Sequence, residues 1–200
     1  MYGLPISTER KRQLPKKAIY ANFDLNSAQR ESFDADVARI DIVAVISPAT
    51  IPALSEGAEV KEFYVLDVQM KRKEYDVKNI LLLTRLIAQN MVFALRYEEQ
   101  VQFAIFHSKL FTTAWQPVRQ ATLPLSGLNF DAVWENIVKE IGQIEVSAGH
   151  TLVKQIADDE QRAKLLVRIA TLERKMANEK QPRRKREYFE QIKNLKEQVL

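Results

Sequence analysis

Residues 62–71 read EFYVLDVQMK, and this stretch decides the fold class because it alternates like a β-strand. One face carries apolar or aromatic side chains, those of Tyr64, Leu66, Val68 and Met70. The opposite face turns polar along its length and ends in Asp67, Gln69 and Lys71. We therefore predict a strand with one face in the core and the other reaching a polar surface.

Further strands are predicted on both sides of this stretch, where β-branched and aromatic residues cluster between turn residues. They are Ile40–Ile46, Met91–Tyr97, Val101–Phe106 and one or two more between Lys109 and Pro124, around Trp115. Residues 98–100 are short enough to join two of these strands as a hairpin. The sequence thus predicts a mixed sheet of about five strands.

Helices are predicted where apolar residues recur at helical spacing behind a capping residue. They run from Asn26 or Ser27 to Ala38, from Lys78 to Ala88 with Ile80, Leu83 and Ile87 on one face, and from Phe130 to Ile144. Strands in hairpin-like groups with helices between them favour an α+β fold with flanking helices over a regular βαβ array. We assign this globular domain to residues 21–150.

Residues 151–200 have a different texture and predict an antiparallel, coiled-coil-like helical hairpin. Two apolar seams step by three and four residues, namely Leu165, Ile169, Leu172 and Met176, then Tyr188, Ile192, Leu195 and Val199. Pro182 lies between them and should end the first helix, because proline lacks an amide donor. Helices this short are marginal alone, so the seams must pack on each other or on a partner.

The net charge of +4 is unevenly distributed along the chain. Residues 1–20 carry five Lys or Arg and one Glu, residues 21–150 carry 12 basic and 17 acidic residues, and residues 151–200 carry 13 basic and 8 acidic residues. Any attraction to phosphate is therefore expected at the two ends. With no cysteine, two histidines and no apparent secretory signal or membrane span, we expect no cofactor and a cytoplasmic location.

The polar strand face offers one catalytic hypothesis. Asp67, Gln69 and Lys71, with Asp41 on an earlier strand, resemble the core of restriction-type nucleases, where two acids and a Lys bind Mg²⁺ and activate water. Gln69 replaces the second acid, and a neutral amide binds Mg²⁺ weakly. The simpler reading is a strand whose polar end meets solvent. We expect a non-enzymatic protein in which Asp41, Asp67 and Lys71 do not converge on a metal.

Two basic clusters offer a nucleic-acid hypothesis. The N-terminal arm, residues 1–20, holds Arg10, Lys11, Arg12, Lys16 and Lys17. The hairpin tip holds five more possible phosphate contacts, Lys180, Arg183, Arg184, Lys185 and Arg186. Either cluster could contact phosphate weakly and without sequence preference, or could simply face solvent.

Several stretches together resemble a bacterial family known as domain of unknown function 4391. They are LPKKA at 14–18, ARIDIV at 38–43, YVLDVQMK at 64–71, VFALRY at 92–97 and KQPRRK at 180–185. The resemblance spans nearly the whole chain and implies no activity. It implies a partner role in a DNA-handling assembly, because genes of this family often lie beside DNA methyltransferases and helicases of restriction-type defence systems.

Three functions follow as expectations. The first is a non-enzymatic interaction subunit, an accessory partner in a restriction or defence-type assembly, which docks on a protein or on itself through the two hairpin seams. The second is a divergent or degenerate Mg²⁺-dependent nuclease domain. The third is a non-specific nucleic-acid binder that uses the basic ends.

Overall fold

A computed structural model describes residues 1–85 and 89–199 of the chain. These residues form two compact units, Met1–Glu145 and Val146–Leu200. We call them the sheet unit and the hairpin unit. The division lies close to the boundary predicted after residue 150.

The sheet unit contains a seven-stranded mixed sheet in place of the predicted five or so strands. The strands are β1 (Glu9–Gln13), β2 (Val37–Ile46), β3 (Phe63–Met70), β4 (Asn90–Tyr97), β5 (Gln100–His107), β6 (Lys109–Thr112) and β7 (Gln116–Pro117). The first six lie in chain order, and β7 pairs with β5. Neighbours are antiparallel except β3 and β4, which run parallel because α3 (Val77–Leu83) connects them.

Three more helices belong to the sheet unit, α1 (Lys16–Asn22), α2 (Ser27–Asp36) and α4 (Phe130–Gly142). The helices α2, α3 and α4 follow Asn26, Asp76 and Asn129 respectively, and each of these side chains accepts a hydrogen bond from a backbone N–H of the first turn. Asn26 also forms a reciprocal capping box with Gln29, which satisfies two backbone donors at once.

The helix predicted to reach Ala38 ends earlier, at Asp36. Val37 already pairs with Met70 as the first residue of β2, and the backbone N–H of Lys71 donates to the carbonyl of Asp36. Pairing with β3 therefore begins at Val37, so α2 ends at Asp36 and not at Ala38. Ile87, predicted on the next helix, lies outside the described residues.

Residues 1–20 are part of the sheet unit, where the sequence predicted a partly extended arm. A 3₁₀ turn at Ile6–Thr8 leads into β1, whose Gln13 pairs with Asp41 of β2. Ile19 of α1 is fully buried in the core. Backbone pairing and three buried apolar side chains, those of Tyr2, Leu4 and Ile19, thus hold a segment that has no strand-like alternation of its own.

One apolar cluster of the sheet unit lies between one sheet face and the helices α2 and α3. The alternation of β3 predicts this face, because Leu66, Val68 and Met70 are all buried in this cluster. Phe33 of α2 and Ile80 of α3 pack against them. The other face of β3 carries Asp67 after two fully buried residues, Phe63 and Val65, and Phe63 packs against Trp134 of α4.

The hairpin unit contains α5 (Leu152–Asn178) and α6 (Pro182–Glu197), which pack as a hairpin. Pro182 is the first residue of α6, where its missing N–H costs no helical hydrogen bond. No helix among the described residues combines the length and apolarity needed to cross a membrane.

Candidate functional site

Two carboxylates lie opposite each other on the sheet face that carries Asp67. Asp41 of β2 is the direct partner of Asp67 in β3, and Gln13 of β1 is the partner of Asp41. Side chains of directly paired residues project from the same face. Gln13, Asp41 and Asp67 therefore form one row across three strands.

A second row beside the first is basic. Arg39 of β2 pairs with Gln69 of β3, and Gln69 pairs in turn with Arg96 of β4. The neutral Gln69 thus stands between two arginines, where a carboxylate would pair with them. Because Gln69 is neutral, the row keeps the positive charge of its two arginines.

Asp67 is almost fully buried, with 2% of its surface exposed. Its Oδ2 accepts a hydrogen bond from the Tyr2 hydroxyl at 2.9 Å, and its Oδ1 lies 3.2 Å from Nε and 3.1 Å from Nη2 of Arg96. Burial raises the pKa of Asp67, while Arg96 and the Tyr2 hydrogen bond act in the opposite direction. Burial also raises the pKa of Tyr2, so its hydroxyl stays a hydrogen-bond donor at neutral pH.

Asp41 is held in a different way, by an arginine two residues away on the same strand. Arg39 donates from Nε to Oδ2 at 2.6 Å and from Nη2 to Oδ1 at 2.8 Å. This is the bidentate geometry in which a guanidinium fits a carboxylate best. Both carboxylates of the acidic row are therefore neutralised by an arginine of the basic row.

Lys71 does not join this arrangement. Its Nζ donates to the backbone carbonyl of Asp34 at 2.6 Å, beside the end of α2. The structure thus brings Asp41 and Asp67 together and directs Lys71 to another contact.

These rows line an open depression of about 290 Å³ on the sheet, which we call the sheet depression. Its walls are formed by residues of four neighbouring strands and the chain start, namely Met1, Arg10, Lys11, Gln13, Arg39, Asp41, Val43, Asp67 and Arg96. Two residues of the predicted basic arm, Arg10 and Lys11, therefore meet the predicted acidic pair. Sequence reasoning treated these as separate candidates.

The carboxylates of the sheet depression are poorly suited to Mg²⁺. A divalent cation needs oxygen ligands free of other cations, and here Arg39 and Arg96 already occupy Asp41 and Asp67. Within residues 1–85 and 89–199, no group of three or more acidic or histidine side chains is placed to hold a metal ion.

The two predicted hairpin seams face each other. Ile169, Leu172 and Ile192 are buried in one cluster, and Met176, Tyr188, Leu195 and Val199 pack around them. Leu165 is partly buried. Of the two packing options that the sequence left open, the hairpin uses the intramolecular one.

The tip of the hairpin presents its cations to solvent. Lys180 and residues 183–186 are all exposed. Oε1 of Glu179 accepts the backbone N–H groups of Lys180 at 2.9 Å and Gln181 at 3.0 Å, and these bonds lower the pKa of Glu179. The turn is thus fixed by a carboxylate while the basic side chains point outwards.

Three residues that pair with the carboxylates of the sheet depression were not predicted from the sequence. Arg39 could have been found, because it precedes Asp41 by two residues on a predicted strand. Arg96 reaches Asp67 through the parallel pairing of β3 and β4, which local sequence does not specify. Tyr2 reaches it from a turn in which its own φ is 53°, a left-handed value that no pattern in the sequence indicates.

The fold and site define an α+β protein with a mixed seven-stranded sheet, a charged depression on that sheet and a separate helical hairpin. The chain belongs to the family described as Domain of unknown function (DUF4391), which matches residues 2–199. This match confirms the family resemblance. Searches of curated proteins and of solved structures gave no significant match.

Proposed function

We propose that the chain is a non-enzymatic interaction subunit of a nucleic-acid-handling assembly, and that its hairpin tip contacts the phosphate backbone. The observation that carries this proposal is the hairpin tip itself. Five exposed cations fall within residues 180–186, which contain no acidic residue. The closed seam supports the tip without using any of these side chains.

The charge of the tip fits a polyanion for a second reason. Residues 183–186 occupy the start of α6, whose first turn contains no acidic residue. The amino end of a helix carries a partial positive charge, so the cations there repel both it and one another. A phosphate group at this position would reduce that repulsion and release counterions from the nucleic acid.

Binding of a 30-base-pair duplex at two salt concentrations tests the proposal. We expect wild-type binding to weaken steeply with salt, because backbone contacts release counterions. Serine at Arg183, Arg184, Lys185 and Arg186 should lower affinity at least about tenfold and flatten the salt dependence. A matched control replaces Lys154, Arg162, Arg168 and Lys193 by serine, removing the same charge from elsewhere on the hairpin.

The control should lose much less affinity than the tip variant. Equal losses would show that total charge, and not the tip, governs binding. No binding by the wild type at low salt would remove direct nucleic-acid contact from the proposal. Either result would contradict the assignment of the tip.

The non-enzymatic part of the proposal is supported by the pairing of Asp41 with Arg39 and of Asp67 with Arg96. We expect no Mg²⁺-dependent cleavage of DNA or RNA by the purified chain. Cleavage that depends on Mg²⁺ and disappears in Asp67→Ala would reverse this ranking in favour of a nuclease.

Docking on a protein is the second candidate function, and three of the four large apolar side chains that the described part of the hairpin unit exposes favour it. Leu166 is 50% exposed, Val167 68% and Phe189 56%. Because the seam is closed, docking on a partner or on a second copy would use these residues instead. Light scattering on wild type and on Leu166→Ser/Val167→Ser measures the self-association part, which should weaken in the variant.

A further inference from the structure

The sheet depression concentrates positive charge in a unit whose net charge is close to zero. Four cations line it, Arg10, Lys11, Arg39 and Arg96, against the two carboxylates of Asp41 and Asp67. Residues 1–145 carry 17 basic and 18 acidic residues, so this local excess stands out from a unit that is nearly neutral. An anion would meet an attractive field here that the net charge of the unit does not provide.

A β-bulge explains how two consecutive cations reach the same depression. Glu9 pairs with Ala44 and Arg12 pairs with Ile42, so β1 contains one extra residue between these positions. In a regular strand Arg10 and Lys11 would project from opposite faces. The bulge turns both towards the depression, which is a use of bulges common beside binding sites.

The carboxylates position two of the cations without consuming them. Arg39 uses Nε and Nη2 for Asp41, and Arg96 uses Nε and Nη2 for Asp67. A guanidinium has five N–H donors, so the Nη1 group of each arginine remains available. Within the described part of the chain, no carboxylate forms an ion pair with Lys11.

We propose that the sheet depression binds a phosphate group, either that of a mononucleotide or free phosphate, with Arg10, Lys11 and the Nη1 groups of Arg39 and Arg96 as its donors. The excess of two positive charges matches the dianion that such a group carries near neutral pH. Planar guanidinium groups suit phosphate oxygens geometrically. A volume of about 290 Å³ lies near the lower limit of small-ligand sites and suits a mononucleotide or free phosphate better than a long polymer.

Calorimetry on the full chain with adenosine monophosphate, inorganic phosphate and adenosine tests the proposal and separates the two sources of phosphate. We expect the two phosphate-bearing probes to bind and adenosine not to bind. Tighter binding of the nucleotide assigns the site to nucleotides, whereas equal affinity assigns it to free phosphate. Absence of binding of both phosphates at millimolar concentration, or equal binding of adenosine, would overturn the proposal.

Matched charge variants locate the site. Arg10→Gln/Lys11→Gln should weaken phosphate binding at least about tenfold, whereas Arg12→Gln/Lys17→Gln removes the same charge outside the depression and should weaken it less than about twofold. Gln69→Glu adds a carboxylate between Arg39 and Arg96 and should also weaken binding. Equal losses in the two double variants would refute this location.

The test is independent of the hairpin tip and of the fold. Arg10 and Lys11 are exposed, so their variants should keep the wild-type circular dichroism spectrum. The tip variant with four serines should bind adenosine monophosphate and inorganic phosphate with wild-type affinity. A loss in that variant would place the phosphate site on the hairpin and refute the sheet depression.

Discussion

The sheet unit buries two of its carboxylates, whereas the hairpin unit exposes its densest cluster of cations. In the sheet unit, Asp36 and Asp67 are buried and each is satisfied by donors from distant parts of the chain. In the hairpin unit, the cations of residues 183–186 are exposed, and a small apolar seam holds the helices together. Loss of a buried carboxylate should therefore destabilise the first unit, whereas loss of the exposed tip cations should change binding in the second.

The largest effect is expected for Asp36→Ala in the sheet unit. Asp36 is fully buried and accepts hydrogen bonds from Arg72 Nε at 2.5 Å, the backbone N–H of Asp76 at 2.8 Å and Asn79 Nδ2 at 2.7 Å. Its removal breaks three hydrogen bonds to a fully buried carboxylate and leaves the half-exposed Arg72 without its ion-pair partner, so we expect a loss of about 4 kcal/mol in urea denaturation. Glu31→Ala on the exposed side of α2 is the control and should cost less than ~0.5 kcal/mol. Similar losses for both would contradict the role of burial.

Leu172→Asp tests the apolar seam of the hairpin unit. A carboxylate in this cluster is costly, so we expect a loss of about 3 kcal/mol confined to the hairpin. Hydrogen exchange should quicken in α5 and α6 and stay slow in β3 and β4. Leu166→Asp, on an exposed position of the same helix, is the control. Equal quickening in both units would show that the hairpin does not unfold separately.

Alternating or helical spacing predicted most central elements, but not β1. The stretch 62–71 alternates between apolar and polar residues in its second half, and β3 covers Phe63–Met70 of it, with both faces largely buried. The five residues of β1 are all exposed, so no burial pattern marks them, and backbone pairing with β2 makes them a strand. Edge strands of this kind are invisible to periodicity.

The same reasoning limits what the sequence could say about the site. Asp41 and Asp67 were candidates because acids on strands are conspicuous. Their partners Tyr2 and Arg96 depend on a turn and on the register of parallel strands, both set by the folded chain. The pairing of each carboxylate with an arginine, Asp41 with Arg39 and Asp67 with Arg96, is part of that folded arrangement.

Asp131→Asn tests a charge of intermediate exposure in the sheet unit. The carboxylate accepts backbone N–H groups of Ala58 at 2.6 Å and Val60 at 2.7 Å, and these bonds lower its pKa. A lowered pKa means stability that is present above the unfolded value of about 3.9 and is lost as pH falls through the folded value. We expect a cost of about 1 kcal/mol at pH 7, discounted for solvent exposure.

The pH series decides whether charge is the cause in Asp131→Asn. The stability difference from wild type should shrink as the pH falls into the acid range, because the wild-type carboxylate is then protonated too. A difference that stays constant with pH would assign the effect to shape or packing instead of charge.

The smallest effect is expected for the tip variant with serine at Arg183, Arg184, Lys185 and Arg186. The 3.4 Å pair between Arg183 and Glu187 is lost, which costs about 0.3 kcal/mol for an exposed helix pair. Removing cations from the positive end of α6 returns a similar amount, and serine is well tolerated in the first turn. The net change in the free energy of unfolding should therefore stay within about 1 kcal/mol, measured by urea denaturation. A larger loss would mean that the tip supports the seam, and reduced nucleic-acid binding in this variant could then not be assigned to lost phosphate contacts.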